Sequence, residues 1–211
     1  MKTYRLHLLR HGLTAGNLEG RYIGSTDLPL CPAGKEQLFK LKEDFSYPTV
    51  QMVFCSPLMR AKETAEILYP GVKLYELQDL REASFGEFEG KRAEDLVGSA
   101  AFRRWMDPQD PYQPEGGEHA NVFSARTRGA FLKLFEFMMK ADVTEAAAVT
   151  HGGVIMSMLA QAALPQRPAS LWACDPGCGW TVRCTPAMLM RDEMAEAVAI
   201  APAGYGEKLK N

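Results

Sequence analysis

A short apolar run opens the chain at residues 4–9 (YRLHLL), and similar runs recur at 50–55 (VQMVFC) and 145–150 (EAAAVT), each ending at polar or glycine-rich residues. Runs of this length bounded by turn signals predict buried strands. Between them the apolar positions fall at helical spacing. Leu38, Phe39 and Leu41 mark a helix over 32–43 that starts at Pro32, and Ser56-Pro57 predicts a second helix start, with serine as N-cap, ahead of Ala61, Ala65 and Leu68. Residues 120–140 carry Val122, Phe123, Ala130, Phe131, Leu134, Phe135 and Met138 at a period of about 3.6. A further helix is expected after Gly152-Gly153. This alternation predicts an α/β fold: three α/β/α layers around a mostly parallel central sheet. Segment 83–119 breaks the pattern, with short helical pieces and five proline or aromatic residues between Trp105 and Pro114. It reads as a small inserted helical cap within a single domain spanning 1–211. Residues 180–185 read as a strand, and Met188 to Ala201 is open between helix and strand.

Composition adds mainly exclusions. With 211 residues, 46% hydrophobic and 24% charged, the chain resembles ordinary globular proteins and can bury a sizeable core. Its 24 basic and 26 acidic residues leave a net charge of −2, so there is no broad basic field for nucleic acid or an anionic membrane surface. The N-terminal apolar run is cut at Arg10 and lacks a small-residue cleavage site. No uninterrupted apolar run reaches the roughly 18 residues of a spanning helix, so a cytoplasmic protein is expected. Five scattered cysteines (Cys31, Cys55, Cys174, Cys178, Cys184) read as reduced thiols rather than a disulfide framework. Cys174 and Cys178 have no histidine near them in sequence, so no metal site is expected there.

The chemistry gathers where the strands end. In an open α/β sheet, ligands bind at the carboxyl ends of the strands. The first predicted strand runs into Arg10-His11-Gly12, with Thr14 and Asn17 close behind; the second into Ser56-Pro57-Leu58 and Arg60; the third into His151-Gly152-Gly153. Two guanidinium forks suit a dianionic phosphate, and neither loses its charge. A neutral imidazole can attack phosphorus and divide one difficult displacement into two easier ones. The second histidine can donate to a phosphate oxygen, and the glycines let backbone amides approach closely. Singly, each residue has a plainer reading: a structural histidine, a solvated arginine, a turn glycine. Their convergence from three strand ends argues for the phosphate.

The string LLRHGLTAGNLEGRYIGSTDLPLCPAG resembles the signature of the histidine phosphatase superfamily, which also contains cofactor-dependent phosphoglycerate mutases. CSPLMRAKETA (55–65), LREASFGEFEG (80–90), PEGGE (114–118) and VTHGG (149–153) extend the resemblance in order. It implies His11 as nucleophile, Arg10, Arg60 and His151 as the phosphate pocket, and Glu82 as proton donor to the leaving oxygen. Asn17 is implied as a further phosphate contact, with Thr14, Gly24, Ser25 and Gly152 as substrate-binding positions. The family pattern implies no metal or organic cofactor. By their residues alone, Glu87, Glu89 and Glu118 read as solvated surface, and His7 as a core or sheet-face residue.

Mutases of this family follow the acid with Arg-His-Tyr, whereas this chain has Glu82-Ala83-Ser84-Phe85. Hydrolysis of a small-molecule phosphate ester through a phosphohistidine is therefore expected, with a mutase and a non-catalytic phosphate-binding relative as alternatives. Phe102-Arg103-Arg104-Trp105, Asp107-Pro108 and PEGGE resemble the α-ribazole phosphatases and broad-specificity neighbours. Phe102 and Trp105 at helical spacing read as core. Contact of Arg103, Arg104 or His119 with substrate stays open, as does a homodimer.

Overall fold

The computed structural model describes residues 2–107 and 110–208; Pro108 of the sequence motif lies outside them. In chain order the elements are β1 (Tyr4–Arg10), α1 (Ala15–Leu18), α2 (Pro32–Asp44), β2 (Met52–Cys55), α3 (Met59–Leu68), β3 (Leu74–Glu76), α4 (Ala93–Leu96), α5 (Ala100–Met106), α6 (Ala120–Lys140), β4 (Glu145–Thr150), α7 (Gly152–Ala162), β5 (Ala163–Leu164), β6 (Gly179–Cys184), α8 (Pro186–Asp192), β7 (Ala195–Ala201) and α9 (Tyr205–Lys208).

The strands form a seven-stranded sheet in the order β3-β2-β4-β1-β6-β7-β5. Among the described strands, the β6 pairings with β1 and β7 are antiparallel and the other paired neighbours are parallel. The expected α/β class with a mostly parallel sheet is what the chain adopts. Strands β2, β4 and β1 are consecutive and point the same way, so Ser56, His151 and His11, which follow them, emerge side by side at one edge.

Alternation along each strand divides the core between two faces. Leu6, Leu8, Phe54, Ala146 and Ala148 pack against Phe131, Leu134, Phe135 and Met138 of α6 and Val154, Ile155, Met158 and Leu159 of α7. Leu9, Val53, Cys55, Ala147 and Val149 pack on the opposite face with Leu38 of α2 and Ala61, Ala65 and Leu68 of α3. Truncating side chains as buried as Phe131 or Leu134 of α6 typically costs about 2–5 kcal/mol, so this packing is a main support of the sheet beneath the polar cluster.

Several local expectations change. Helix α3 starts at Met59 with Leu58 in the cap position and no side-chain capping bond, so Ser56 is not an N-cap. Its hydroxyl is fully buried, 3.4 Å from the Leu58 amide ahead of the helix and 2.8 Å from His151 Nε2. Phe39 and Val122 are about half exposed (54% and 52%), outside the buried stripes of their helices. The segment 188–201 contains both alternatives. Thr185 caps α8 through the Met188 amide, Pro186 occupies its first turn, and Glu193 at φ 52° ends it before β7.

Segment 83–119 builds a small core of its own. Phe88 and Phe102 stack edge-on at 5.6 Å, Trp105 packs on Phe85 and Phe88, and Tyr22 closes the cluster from the body of the protein. His7 is buried in the sheet as expected, between the Thr181 hydroxyl (2.8 Å) and Glu145 (3.1 Å).

Candidate active site

His11 is 5% exposed and meets His151, which is fully buried, with ring centroids 5.1 Å apart and planes at 60°. Hydrogen-bond partners determine both tautomers. A carbonyl only accepts, so His11 Nδ1 must carry the proton it shares with Gly12 O at 2.6 Å. Nε2 of a neutral ring then holds the lone pair. Burial, with the Arg60 and Arg10 charges adding to it, lowers the His11 pKa to about 3, so the ring is neutral at physiological pH. For His151 the logic reverses. Arg60 Nε can only donate, so His151 Nδ1 accepts at 3.3 Å and Nε2 carries the proton to Ser56 Oγ at 2.8 Å. Burial also holds His151 well below the ordinary histidine value, helped by its charged neighbours.

Both arginines are held by backbone carbonyls rather than carboxylates. Arg60, 1% exposed, donates Nη1 to Thr26 O and Nη2 to Gly24 O, each at 2.7 Å. Arg10 donates Nη1 to Cys174 O at 2.9 Å, while its Nε is buried with no acceptor among the described residues. A buried charged donor without an acceptor is costly, and an anion bound beside it would supply one. Because carbonyls leave the guanidinium charges uncancelled, the pocket stays positive.

Glu82 reaches the same edge from the loop after β3. Its Oε1 accepts the Ala83 amide at 3.0 Å and its Oε2 the Gly153 amide at 2.9 Å, in the first turn of α7. Burial raises its carboxyl above the ordinary value even though both amides and the two arginines pull it down. The glycine this contact requires is Gly153, where a Cβ would stand 2.5 Å from Glu82 Oε1. At Gly152 a Cβ would meet Arg10 only at an ordinary 3.5 Å.

The other predicted positions divide. Thr14 and Asn17 form a reciprocal capping box at the start of α1, so Thr14, fully buried, spends its hydroxyl on orienting Asn17. Gly24 and Ser25 belong to a strap that touches Arg60 through the Gly24 carbonyl. Their amides point instead to Glu89, whose expected surface role is corrected: it accepts from Gly24, Ser25, Thr26 and Phe85. Glu118 is not solvated surface either, since it forms a two-pronged ion pair with Arg126 at 2.9 and 2.6 Å. Glu87 is exposed but accepts the Tyr112 hydroxyl at 2.7 Å. The only sequence sign of Glu89's role was its place in the LREASFGEFEG string. Ser56 was read as a cap because Ser-Pro is a common helix start.

A cavity of about 360 Å³ opens at Glu82, lined also by Ser25, Leu58, Arg81, Ser84 and Glu118. Ser84 and Glu118 also line a neighbouring cavity of about 300 Å³, walled by Phe85, Trp105, Tyr112 and Phe123. Trp105 thus serves both the 83–119 core and this wall. Arg104 is paired with Asp110 at 2.9 and 3.2 Å and lies 4.8 Å from the Tyr112 ring centre. Arg103 and His119 are exposed and line neither cavity. Burial raises the thiols of Cys174 and Cys178 to about 12, so both are protonated. No described helix is long and apolar enough to cross a membrane.

Known proteins share this arrangement of chain and fold. An adenosylcobalamin/alpha-ribazole phosphatase of Escherichia coli is 30% identical over 179 residues, covering 82% of this chain and 87% of the relative. A protein described as an uncharacterized phosphatase PhoE, from Bacillus subtilis, is 39% identical over 159 residues, covering 73% and 75%. The crystal structure of a putative alpha-ribazole-5'-P phosphatase from Escherichia coli superposes with a TM-score of 0.78 at 26% identity, covering 93% of this chain and 95% of the other. The family model described as histidine phosphatase superfamily (branch 1) matches residues 6–185, the span that supplies every strand end and loop of the site, and the chain belongs to that superfamily.

Proposed function

We propose that the chain is a phosphomonoesterase that hydrolyses a small phosphate ester through a phosphohistidine at His11. The observation that carries this reading is the bond from His11 Nδ1 to Gly12 O, which leaves a lone pair on Nε2 of a neutral ring between two uncancelled guanidinium charges.

A phosphate dianion seated by Arg10 and Arg60 is electrostatically matched, with the Asn17 side-chain amide as a further donor, whereas the expected His151 donor has its one proton on Ser56 Oγ and instead orients Arg60 Nε. His11 Nε2 attacks phosphorus, an N–P bond forms, and the P–O bond to the leaving group breaks. An alkoxide leaves poorly, so Glu82, whose burial favours the protonated carboxyl, passes its proton to the departing oxygen. The resulting carboxylate then takes a proton from water, whose oxygen attacks phosphorus and breaks the N–P bond. Inorganic phosphate leaves and Glu82 is again protonated.

Segment 83–119 serves in this reading as the cap that holds the leaving group in the cavities beside Glu82. The named relatives support α-ribazole phosphate as a substrate, and the aromatic walls at Phe85, Trp105 and Tyr112 suit a leaving group that carries a planar ring. Ala83-Ser84-Phe85 after Glu82 favours hydrolysis over mutase chemistry, because it lacks the basic residues that hold a phosphoglycerate carboxylate.

The test is turnover of an aryl phosphate together with trapping of the phosphoenzyme. Wild type should release phosphate and yield an acid-labile, alkali-stable phosphoprotein, and His11→Ala should lose about a thousandfold or more in kcat/KM with no trapped species. Equal rates from both proteins would refute the reading. A screen including α-ribazole phosphate and the phosphoglycerates would then rank substrates.

A further inference from the structure

We infer that Glu89 is a positioning residue for the reaction, acting through the 24–26 strap to hold the Arg60 guanidinium in its phosphate-binding attitude. This rests on the reading of Arg60 as a phosphate ligand. Glu89 itself touches neither His11 nor His151.

The contacts form one continuous chain. Glu89 Oε1 accepts the Ser25 amide at 2.8 Å and the Phe85 amide at 3.0 Å, Oε2 accepts the Thr26 hydroxyl at 2.7 Å, and the Gly24 amide lies 3.1 Å from both oxygens. Hydrogen bonds to an ionised carboxylate are roughly twice as strong as neutral ones, so the strap's donors are firmly gathered on one anion. Its carbonyls face the other way. Gly24 O and Thr26 O receive both terminal nitrogens of Arg60, whose Nε is bonded to His151. Just beyond the strap, Asp27 Oδ1 accepts the Met59 amide at 2.7 Å, next to Arg60 in the chain.

Packing makes the strap an intolerant spacer. A Cβ at Gly24 would stand 1.9 Å from Ala83 O and 2.6 Å from Glu89 Oε1, so strap and 83–89 segment touch backbone to backbone. Removing the carboxylate frees the Gly24 and Ser25 amides and the Ser25 and Thr26 hydroxyls of the strap, as well as the Phe85 amide, and the carbonyls that orient Arg60 lose their anchor. The Glu89 carboxyl is held below its ordinary range, the bonds from Thr26, Phe85, Ser25 and Gly24 outweighing the upward push of burial.

The experiment is a double-mutant cycle over Glu89→Gln and Arg60→Ala, with Glu89→Ala beside it, read by kcat/KM on an aryl phosphate and by calorimetric affinity for inorganic phosphate. Glu89→Ala should lower both by about tenfold, Glu89→Gln by less, and in the Arg60→Ala background either substitution should change them little, since coupled residues are non-additive. Losses that multiply, or variants that bind phosphate like wild type, would overturn the inference. A wild type without turnover would strike the hydrolysis reading instead. In that case the phosphate-affinity cycle still decides Glu89's role, and absence of phosphate binding by wild type counts against both. Circular dichroism of Glu89→Gln guards against loss of fold.

Discussion

Glu82 Oε2 accepts the Gly153 amide at 2.9 Å, which ties the proposed proton donor on one loop to the helix that begins at Gly152, immediately after His151. The amide lies at a helix N-terminus, where the backbone dipole favours the carboxylate, while burial favours the protonated acid. These opposed influences suit a group that must donate a proton and later take one.

Gly153→Ala should push the carboxyl off this amide, because the new Cβ would stand 2.5 Å from Oε1. Turnover of esters with poor, alkoxide leaving groups should fall roughly tenfold or more, and that of aryl phosphates much less, since general acid catalysis contributes about 10²–10⁴-fold where protonation is needed. Steady-state kinetics on paired alkyl and aryl phosphates would check it. Equal losses on both would point to general misfolding of the edge.

The pH profile should have an alkaline limb set by Glu82. Its folded pKa is raised, so the protonated acid persists above the usual carboxylate range and disappears as pH climbs through the shifted value. The acid limb set by His11 should lie near its pKa of about 3, so activity toward alkyl phosphates is expected to peak on the acid side of neutrality. In Glu82→Gln the alkaline limb should vanish and the alkyl rate drop about a hundredfold. An unchanged limb would assign it to another group.

Ser56→Ala removes the acceptor of the His151 Nε2 proton inside a site where both residues are fully buried. Leaving a buried donor unpaired costs about 1–3 kcal/mol, which for a chain of this size corresponds to a Tm lower by several degrees. Ser56→Thr, which keeps the hydroxyl, should restore much of that loss in a thermal melt. If alanine melted like wild type, the Ser56–His151 bond would contribute nothing to stability.

Acid should weaken the fold through the same histidines. His11 titrates at about 3 when folded against 6.5 for an unperturbed ring, and His151 is shifted in the same direction. Between these values the unfolded chain binds more protons, so stability falls as pH drops through the window from about 6.5 towards 3. Glu82, raised in the folded state, works the other way above 4.5 and offsets part of the loss. Thermal melts of wild type and His11→Asn from pH 7 to pH 4 should show a shallower decline in the variant; parallel curves would remove His11 from this account.

What could be read from the residues was the layout: three apolar runs ending in Arg10-His11, Ser56 to Arg60 and His151 define parallel strands and their chemistry, because strand length, helical period and residue type are local properties. Even the odd 83–119 segment stood out by its broken periodicity. The tertiary structure decided which atoms face each other. Ser56 looks like a cap in sequence, yet the neighbouring β4 brings His151 to its hydroxyl; Glu89 looks solvated, yet the strap folds over it; Gly152 and Gly153 look alike, yet only Gly153 lies under Glu82. Proton positions on His11 and His151 likewise follow from partners that are a carbonyl in one case and a guanidinium in the other. Such contacts join residues scores of positions apart, and a donor or acceptor acquires its role only when folding supplies the partner.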